Sequence, residues 1–125
     1  MMQEIKFYAF FKLQIIFYLI CSFSFAQNSK IDSAYFYFKE AEKKNYQNKH
    51  FKAYENYIKS LELYKQLKNE DSIAKCNLVL FNLITSQDNL EDNSKHYLDE
   101  YYSYALAKKD TLMLLNASNK FSWFK

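Results

Sequence analysis

The chain has no glycine and no proline in its 125 residues. That double absence constrains the fold more than any motif does. Two-residue β-hairpin turns need positive φ, usually supplied by glycine or by an Asn-Gly or Asp-Gly pair, and no such pair occurs here. Sandwiches and Rossmann-type units are hard to build on those terms. Helices joined by Asn- and Asp-containing turns need neither residue. The composition therefore points to an all-α chain, and its length to one domain.

The clearest periodicity lies between Phe51 and Ser72. Tyr54, Tyr57, Ile58, Leu61, Tyr64 and Leu67 recur in steps of three, one and three, tracing one side of a helix from about Lys49 to Lys68. Before it, Ser29 to about Gln47 reads as a helix capped by Ser29 or Asp32. Its apolar stripe is Ile31, Ala34, Tyr35, Phe38 and Ala41, with Phe36 and Tyr37 partly round the side. So wide an arc predicts neighbours on both flanks. Asn45 and Asn48 are the expected turn residues, because asparagine tolerates a left-handed backbone.

After the central helix, Asp71 can cap a third, which carries Ile73, Ala74, Leu78, Leu80, Phe81, Leu83 and Ile84. Gln87 to Asn93 reads as a polar turn, and Asn93 or Ser94 as the cap of a fourth helix reaching about Lys109. Its apolar residues are Tyr97, Leu98, Tyr101, Tyr102, Tyr104 and Ala105. Asp110-Thr111 opens a fifth segment. Asp32-Ser33, Asp71-Ser72 and Asp110-Thr111 are spaced by 39 residues, and each precedes an apolar-periodic run. The chain thus reads as helical hairpins repeated at that period. One hairpin cannot bury both of its faces, so successive hairpins stack.

Residues 1–26 have the pattern of a secretory signal. Lys6 and Lys12 make a weakly positive start, and Leu13 to Phe25 is an apolar run of 13 residues. Ser24 and Ala26 occupy the −3 and −1 positions of a small-residue cleavage site, leaving Gln27 as the new N-terminus. A retained span needs roughly 20 apolar residues, and Lys12 interrupts any longer window. The predicted product is an exported chain, periplasmic or secreted, that meets the membrane only if residues 1–26 stay attached.

The segment from Ala41 through Ile84 resembles a tetratricopeptide-repeat (TPR) array, with coverage extending to essentially all of residues 27–125. Ala53 and Tyr57 stand in the pattern's small and aromatic second-helix positions. Ser60-Leu61-Glu62-Leu63-Tyr64-Lys65 is similar to the repeat's close, and Ile73-Ala74-Lys75 to its reopening. The period is similar to that of the sensor regions of TPR-containing signalling proteins of Bacteroidota. Phe81 departs from the pattern where a small residue is usual, Asn93 stands in place of an alanine, and the closing proline is missing. HEAT-type hairpins have a slightly longer repeat and stay open as an alternative on spacing alone. The resemblance implies about two and a half repeats, as in a truncated piece of a longer protein. It also implies a protein–protein interaction scaffold. Ala53, Tyr57, Ser60, Leu61 and Tyr64 would be its structural positions, and its first-helix face would receive a peptide or partner domain. A sensor fragment of a membrane histidine kinase or regulator, or a small structural bundle, would show the same pattern.

Nothing in the sequence points to catalysis. Without glycine there is no phosphate-cradling loop and no nucleophile elbow. His50 and His96 have no histidine three or four residues away, so no metal pattern forms. Cys76 is the one cysteine left after the leader, on a helix among apolar neighbours, and reads as a buried inert thiol. No cofactor or metal is expected. All 17 basic residues are lysine, and residues 27–125 hold 15 of them against 13 acidic residues. Near balance with interspersed signs, and no arginine for bidentate contacts, argues against nucleic acid as a partner. The fifth segment is apolar to its end. Tyr102, Tyr104, Leu112, Phe121, Trp123 and Phe124 are accordingly the candidate surface for a partner protein or for self-association.

Overall fold

A computed structural model describes residues 2–87 and 94–124 of the chain, apart from the Trp123 side chain. The predicted cap at Asn93, and all of the polar turn except Gln87, lie outside those residues. The chain is all-α. Its helices are α1 (Met2–Tyr46), α2 (His50–Gln66), α3 (Glu70–Thr85), α4 (Ser94–Lys108) and α5 (Thr111–Phe121), followed by one 3₁₀ turn at Ser122–Phe124. There is no strand among the described residues.

Three of the corners share one device. Asn48, Lys68 and Lys109 take positive φ of 58°, 54° and 54°. In each, two backbone N–H groups turn back to close the helix behind: Asn48 to Asn45 and Lys49 to Lys44, Lys68 to Lys65 and Asn69 to Tyr64, Lys109 to Leu106 and Asp110 to Ala105. This is the Schellman arrangement, which satisfies the last orphan carbonyls. The next residue then opens the following helix. Asn69 accepts from the Ser72 N–H and Asp110 from the Met113 N–H, each at 3.1 Å. Corners this short explain how the chain does without glycine and proline.

Two junctions differ from the sequence reading. Asn69, not Asp71, caps α3, so equivalent corners at Lys68 and Lys109 stand 41 residues apart rather than 39. Asp32-Ser33 is no junction at all. The leader and the predicted first helix merge into α1, about 67 Å long at 1.5 Å per residue. No helix breaker separates them, and the serines bond back into the helix: Ser33 Oγ donates to the Ser29 carbonyl at 2.9 Å.

Each helix packs on the one before and the one after it. Small residues set the closest approach: Ala34 and Ala41 of α1 and Ala53 of α2 are fully buried. Phe38 and Tyr57 meet edge to face across the same interface, ring centroids 5.3 Å apart. Contacts between non-adjacent helices then sort by side. Lys75 of α3 lies 4.8 Å from the Phe38 ring centroid of α1, and Lys120 of α5 donates to Asn82 of α3 at 2.8 Å. On the other side, the Tyr54 and Tyr97 hydroxyls join α2 to α4 at 3.4 Å. The odd-numbered helices thus meet along one side, and α2 and α4 along the other.

Candidate interaction surface

The buried residues of α2 are Ala53, Tyr57, Ser60, Leu61 and Tyr64, the five positions singled out from the sequence. They hold the stack together and line no open site by themselves, except that Tyr64 reaches a cleft at its end. Ser60 donates to the Ala34 carbonyl, and Cys76 of α3 approaches the Ser60 oxygen at 3.9 Å. Cys76 is fully buried, and that burial pushes its thiol up to about 11. It is set up as packing rather than as a nucleophile.

The cleft at Tyr64 lies where α1, α2 and α3 come together and has a volume of about 360 Å³. Tyr35, Phe38 and Lys39 of α1 form one wall, Ser72 and Lys75 of α3 the other, and Tyr64 the base. Asn69 fixes where α3 begins and so places Ser72 and Lys75 one turn in, facing α1. Every polar group around the cleft can donate a hydrogen bond, and no carboxylate lines it. Lys39 is held 2.8 Å from Glu42, whose hydrogen bond and charge raise its pKa. Lys75 rests on the Phe38 ring and has no carboxylate partner among the described residues. Burial is the main cause raising the Tyr64 phenol pKa, while a hydrogen bond with Ser72 pulls the other way. Tyr35 is 58% exposed at the lip. The site offers a cation, hydroxyl donors and aromatic faces.

None of these cleft residues except Tyr64 was singled out from the sequence as a site. Lys39 and Lys75 lie on different helices, and no local pattern connects them. Tyr35 and Phe38 belong to the apolar stripe of the predicted first helix. That stripe is half covered: Ala34, Phe38 and Ala41 are buried, whereas Ile31, Tyr35 and Phe36 remain exposed.

The candidate surface at the end of the chain divides in two. Tyr102 and Phe121 pack on each other at 88°, with centroids 5.6 Å apart. The Tyr104 hydroxyl donates to Asp71, and that bond is the chief cause lifting its pKa to about 12. Both tyrosines are half-buried and engaged within the chain. Ala117 is the buried residue of α5, while Leu112 at 78%, Leu115 at 58% and Phe124 at 43% face outward. Phe124 still reaches Phe81, with ring centroids 6.1 Å apart.

His50 pairs through Nδ1 with the Asn45 side chain at 2.9 Å, and His96 lies exposed beside Tyr97. No group of three or more His, Cys, Asp or Glu able to hold a metal ion occurs among the described residues. The apolar half of α1 is exposed, and by length and composition it is the one described helix able to cross a membrane, as a signal sequence or an anchor also would be. In comparisons with known proteins, no family model, no curated protein and no solved structure matches this chain.

Proposed function

We propose that this chain is an exported TPR-like interaction scaffold, a binding protein rather than an enzyme, whose α1/α3 side receives an extended segment of a partner protein. The observation that carries the reading is the cleft between α1 and α3, with Lys75 uncommitted to any carboxylate among the described residues and Tyr35 exposed beside it. Aromatic rings with a polar tip are suited to contacts that must hold both apolar and polar groups. The lining favours a segment carrying a carboxylate next to an apolar or aromatic side chain. Export rests on the Ser24 and Ala26 cleavage pattern at the end of the apolar run.

The test is a random-peptide display selection against the full chain in mild detergent. Enrichment of acidic and aromatic sequences, lost with Lys75→Glu or Tyr35→Ala and kept with Glu55→Lys at an exposed position of α2 outside the cleft, supports the assignment. No enrichment, or binding indifferent to Lys75 and Tyr35, overturns it. Export is checked separately by intact mass: a product beginning at Gln27 supports a cleaved leader, and retained Met1 on membrane-bound protein indicates an anchor.

A second reading rests on α5. Leu112 and Leu115 stand on an open face, so two copies could associate there. Sedimentation that shifts with concentration in the native chain but not in a Leu112→Glu/Leu115→Glu variant supports it. A monomer at all concentrations excludes it.

A further inference from the structure

From Tyr8 to Phe25, α1 rises about 26 Å, close to the roughly 30 Å of a bilayer's hydrocarbon layer. The large apolar side chains along it are exposed, and the Ser22 and Ser24 hydroxyls donate back to the Tyr18 and Ile20 carbonyls at 2.8 and 3.0 Å. Lys12, which limits the apolar run, folds back toward the start of the helix, its Nζ 4.9 Å from the Tyr8 ring centroid. No corner separates this stretch from the part of α1 that packs on α2.

The end of the bundle beside the leader is rich in lysine. α2 runs back along α1, so Gln66 and Leu67 at its close lie beside Phe23, Ala26, Gln27 and Lys30. The α2–α3 corner at Lys68 is therefore level with the last residues of the leader. The α4–α5 corner adjoins it: Lys108 reaches Glu70 at 3.6 Å, and the Tyr104 hydroxyl donates to Asp71. Lys30, Lys65, Lys68 and Lys109 are exposed at this end and have no carboxylate partner among the described residues. The nearby acids are engaged, Glu70 by Lys108, Asp71 by Tyr104 and Asp110 as the cap of α5. Asp32 projects from the opposite side of α1 to Lys30. Leu106, near the close of α4, and Leu112, at the start of α5, are exposed at the same end, by 50% and 78%. Both corners here hold lysine at a φ of 54°, whereas the α1–α2 corner at the other end uses Asn48. Lysine has no side-chain bond that favours that backbone, so charge is kept at these corners against the conformational preference.

We propose that this end of the bundle faces lipid. While residues 1–26 sit in a bilayer, Lys30, Lys65, Lys68 and Lys109 bind anionic phospholipid headgroups, and Leu106 and Leu112 enter the interface beside them. Lys30 lies about 7.5 Å beyond Phe25 along the helix, and a headgroup layer is about 5–8 Å deep. Lysine's flexible stem and point charge suit phosphates in a fluid surface, where no fixed bidentate geometry is needed. An acidic soluble protein would meet the same charges but would give no reason for bare leucines beside an apolar helix. The proposal holds for the chain with its leader attached and is independent of what the α1/α3 cleft binds.

The experiment places the full chain, with Met1 confirmed by intact mass, in nanodiscs of phosphatidylcholine alone or with phosphatidylglycerol added. Both kinds of disc contain a lipid with a nitroxide on its headgroup, and amide proton–nitrogen spectra read which residues lie near it. The expected result is broadening at 67–69 and 108–112 and none at 47–50, stronger by about two-fold or more in the anionic discs. High salt, or the triple variant Lys65→Gln/Lys68→Gln/Lys109→Gln, should return the anionic discs to the level of the neutral ones. Lys49→Gln, at the other end, should change nothing. The salt arm uses the native chain and decides the matter if the triple variant fails to fold. Broadening no stronger at the two lysine corners than at 47–50 overturns the lipid-facing end. Broadening indifferent to lipid charge and to salt overturns the role given to the lysines. Corner shifts with a soluble glutamate polymer, without any response to phosphatidylglycerol, assign this end to an acidic protein and overturn the proposal as well.

Discussion

The Ser60 hydroxyl donates a 2.7 Å hydrogen bond to the backbone carbonyl of Ala34, inside the α1–α2 interface. That carbonyl also serves the α1 ladder, so the second bond uses its free lone pair. With Cys76 on the far side of Ser60, one buried point ties three helices together. Ser60→Ala should cost about 1 kcal/mol, the net worth of one such bond. Ser60→Leu should cost more, about 1–3 kcal/mol, because no room exists at a fully buried position. Urea midpoints that rank alanine below leucine in stability would contradict this packing.

Tyr57 and Ala53 should behave as a size-matched pair. Tyr57 is 3% exposed with its ring against Phe38, so Tyr57→Ala should cost about 3–5 kcal/mol. Ala53→Leu should cost about 1–3 kcal/mol through overpacking. Thermal or urea unfolding of the two variants checks both values, and unchanged midpoints would remove this pair from the interface.

How much of this was legible in the sequence depended on which signal carried it. The 3.6-residue period picks out Tyr57, Leu61 and Tyr64, which are buried, and Tyr54, Ile58 and Leu67, which are half-buried, whereas the small buried residues Ala53 and Ser60 carry no apolar period of their own and are marked only by the resemblance to a repeat pattern. The corners were harder. Asn48 was readable as a left-handed residue, but Lys68 and Lys109 were not, since lysine has no side-chain bond that favours that backbone. The run Asn69-Glu70-Asp71-Ser72 held more than one residue able to cap. The choice of Asn69 follows from the Schellman closure at Lys68, a backbone event invisible in the letters. Asp32-Ser33 resembled the true junctions in type, yet no left-handed corner precedes it and the helix runs through. The α1/α3 cleft had no sequence signal. Lys39 and Lys75 line it together only because helices far apart in sequence lie side by side.

The left-handed lysines offer a route to higher stability. A non-glycine residue in this backbone region costs roughly 1–2 kcal/mol, which glycine does not incur. Lys68→Gly and Lys109→Gly should each raise stability by about 0.5–1 kcal/mol after the added flexibility of the unfolded chain is counted. Glycine at Lys65, inside α2, should lower stability by about 1 kcal/mol. A melting temperature lowered by glycine at 68 or 109 would contradict the corner geometry.

Alkaline pH should weaken the fold. Burial pushes the Tyr57 phenol from 10.0 to about 12 and the Cys76 thiol from 9.0 to about 11. Burial and the bond to Tyr54 raise Tyr97 in the same direction. All three groups bind their protons more tightly folded than unfolded. Their contribution is whole below the unfolded values and is lost as pH rises through the folded ones. Melting temperature should hold steady up to about pH 9 and fall from there to about pH 12. In Cys76→Ala the decline should begin nearer pH 10, where only the tyrosines remain. A melting temperature that rises across this range would contradict the burial of these groups.

The proposed partner-binding side can be tested in the compartment where the chain resides by site-specific photo-crosslinking. A benzophenone side chain placed at Tyr35 or Lys75 lies at the α1/α3 cleft, and one placed at Glu55 or Glu62 lies on exposed positions of α2. A scaffold that binds through the α1/α3 side should give the same crosslinked species from 35 and 75 and none from 55 and 62. Crosslinks confined to 55 and 62, or spread equally over all four positions, would contradict it.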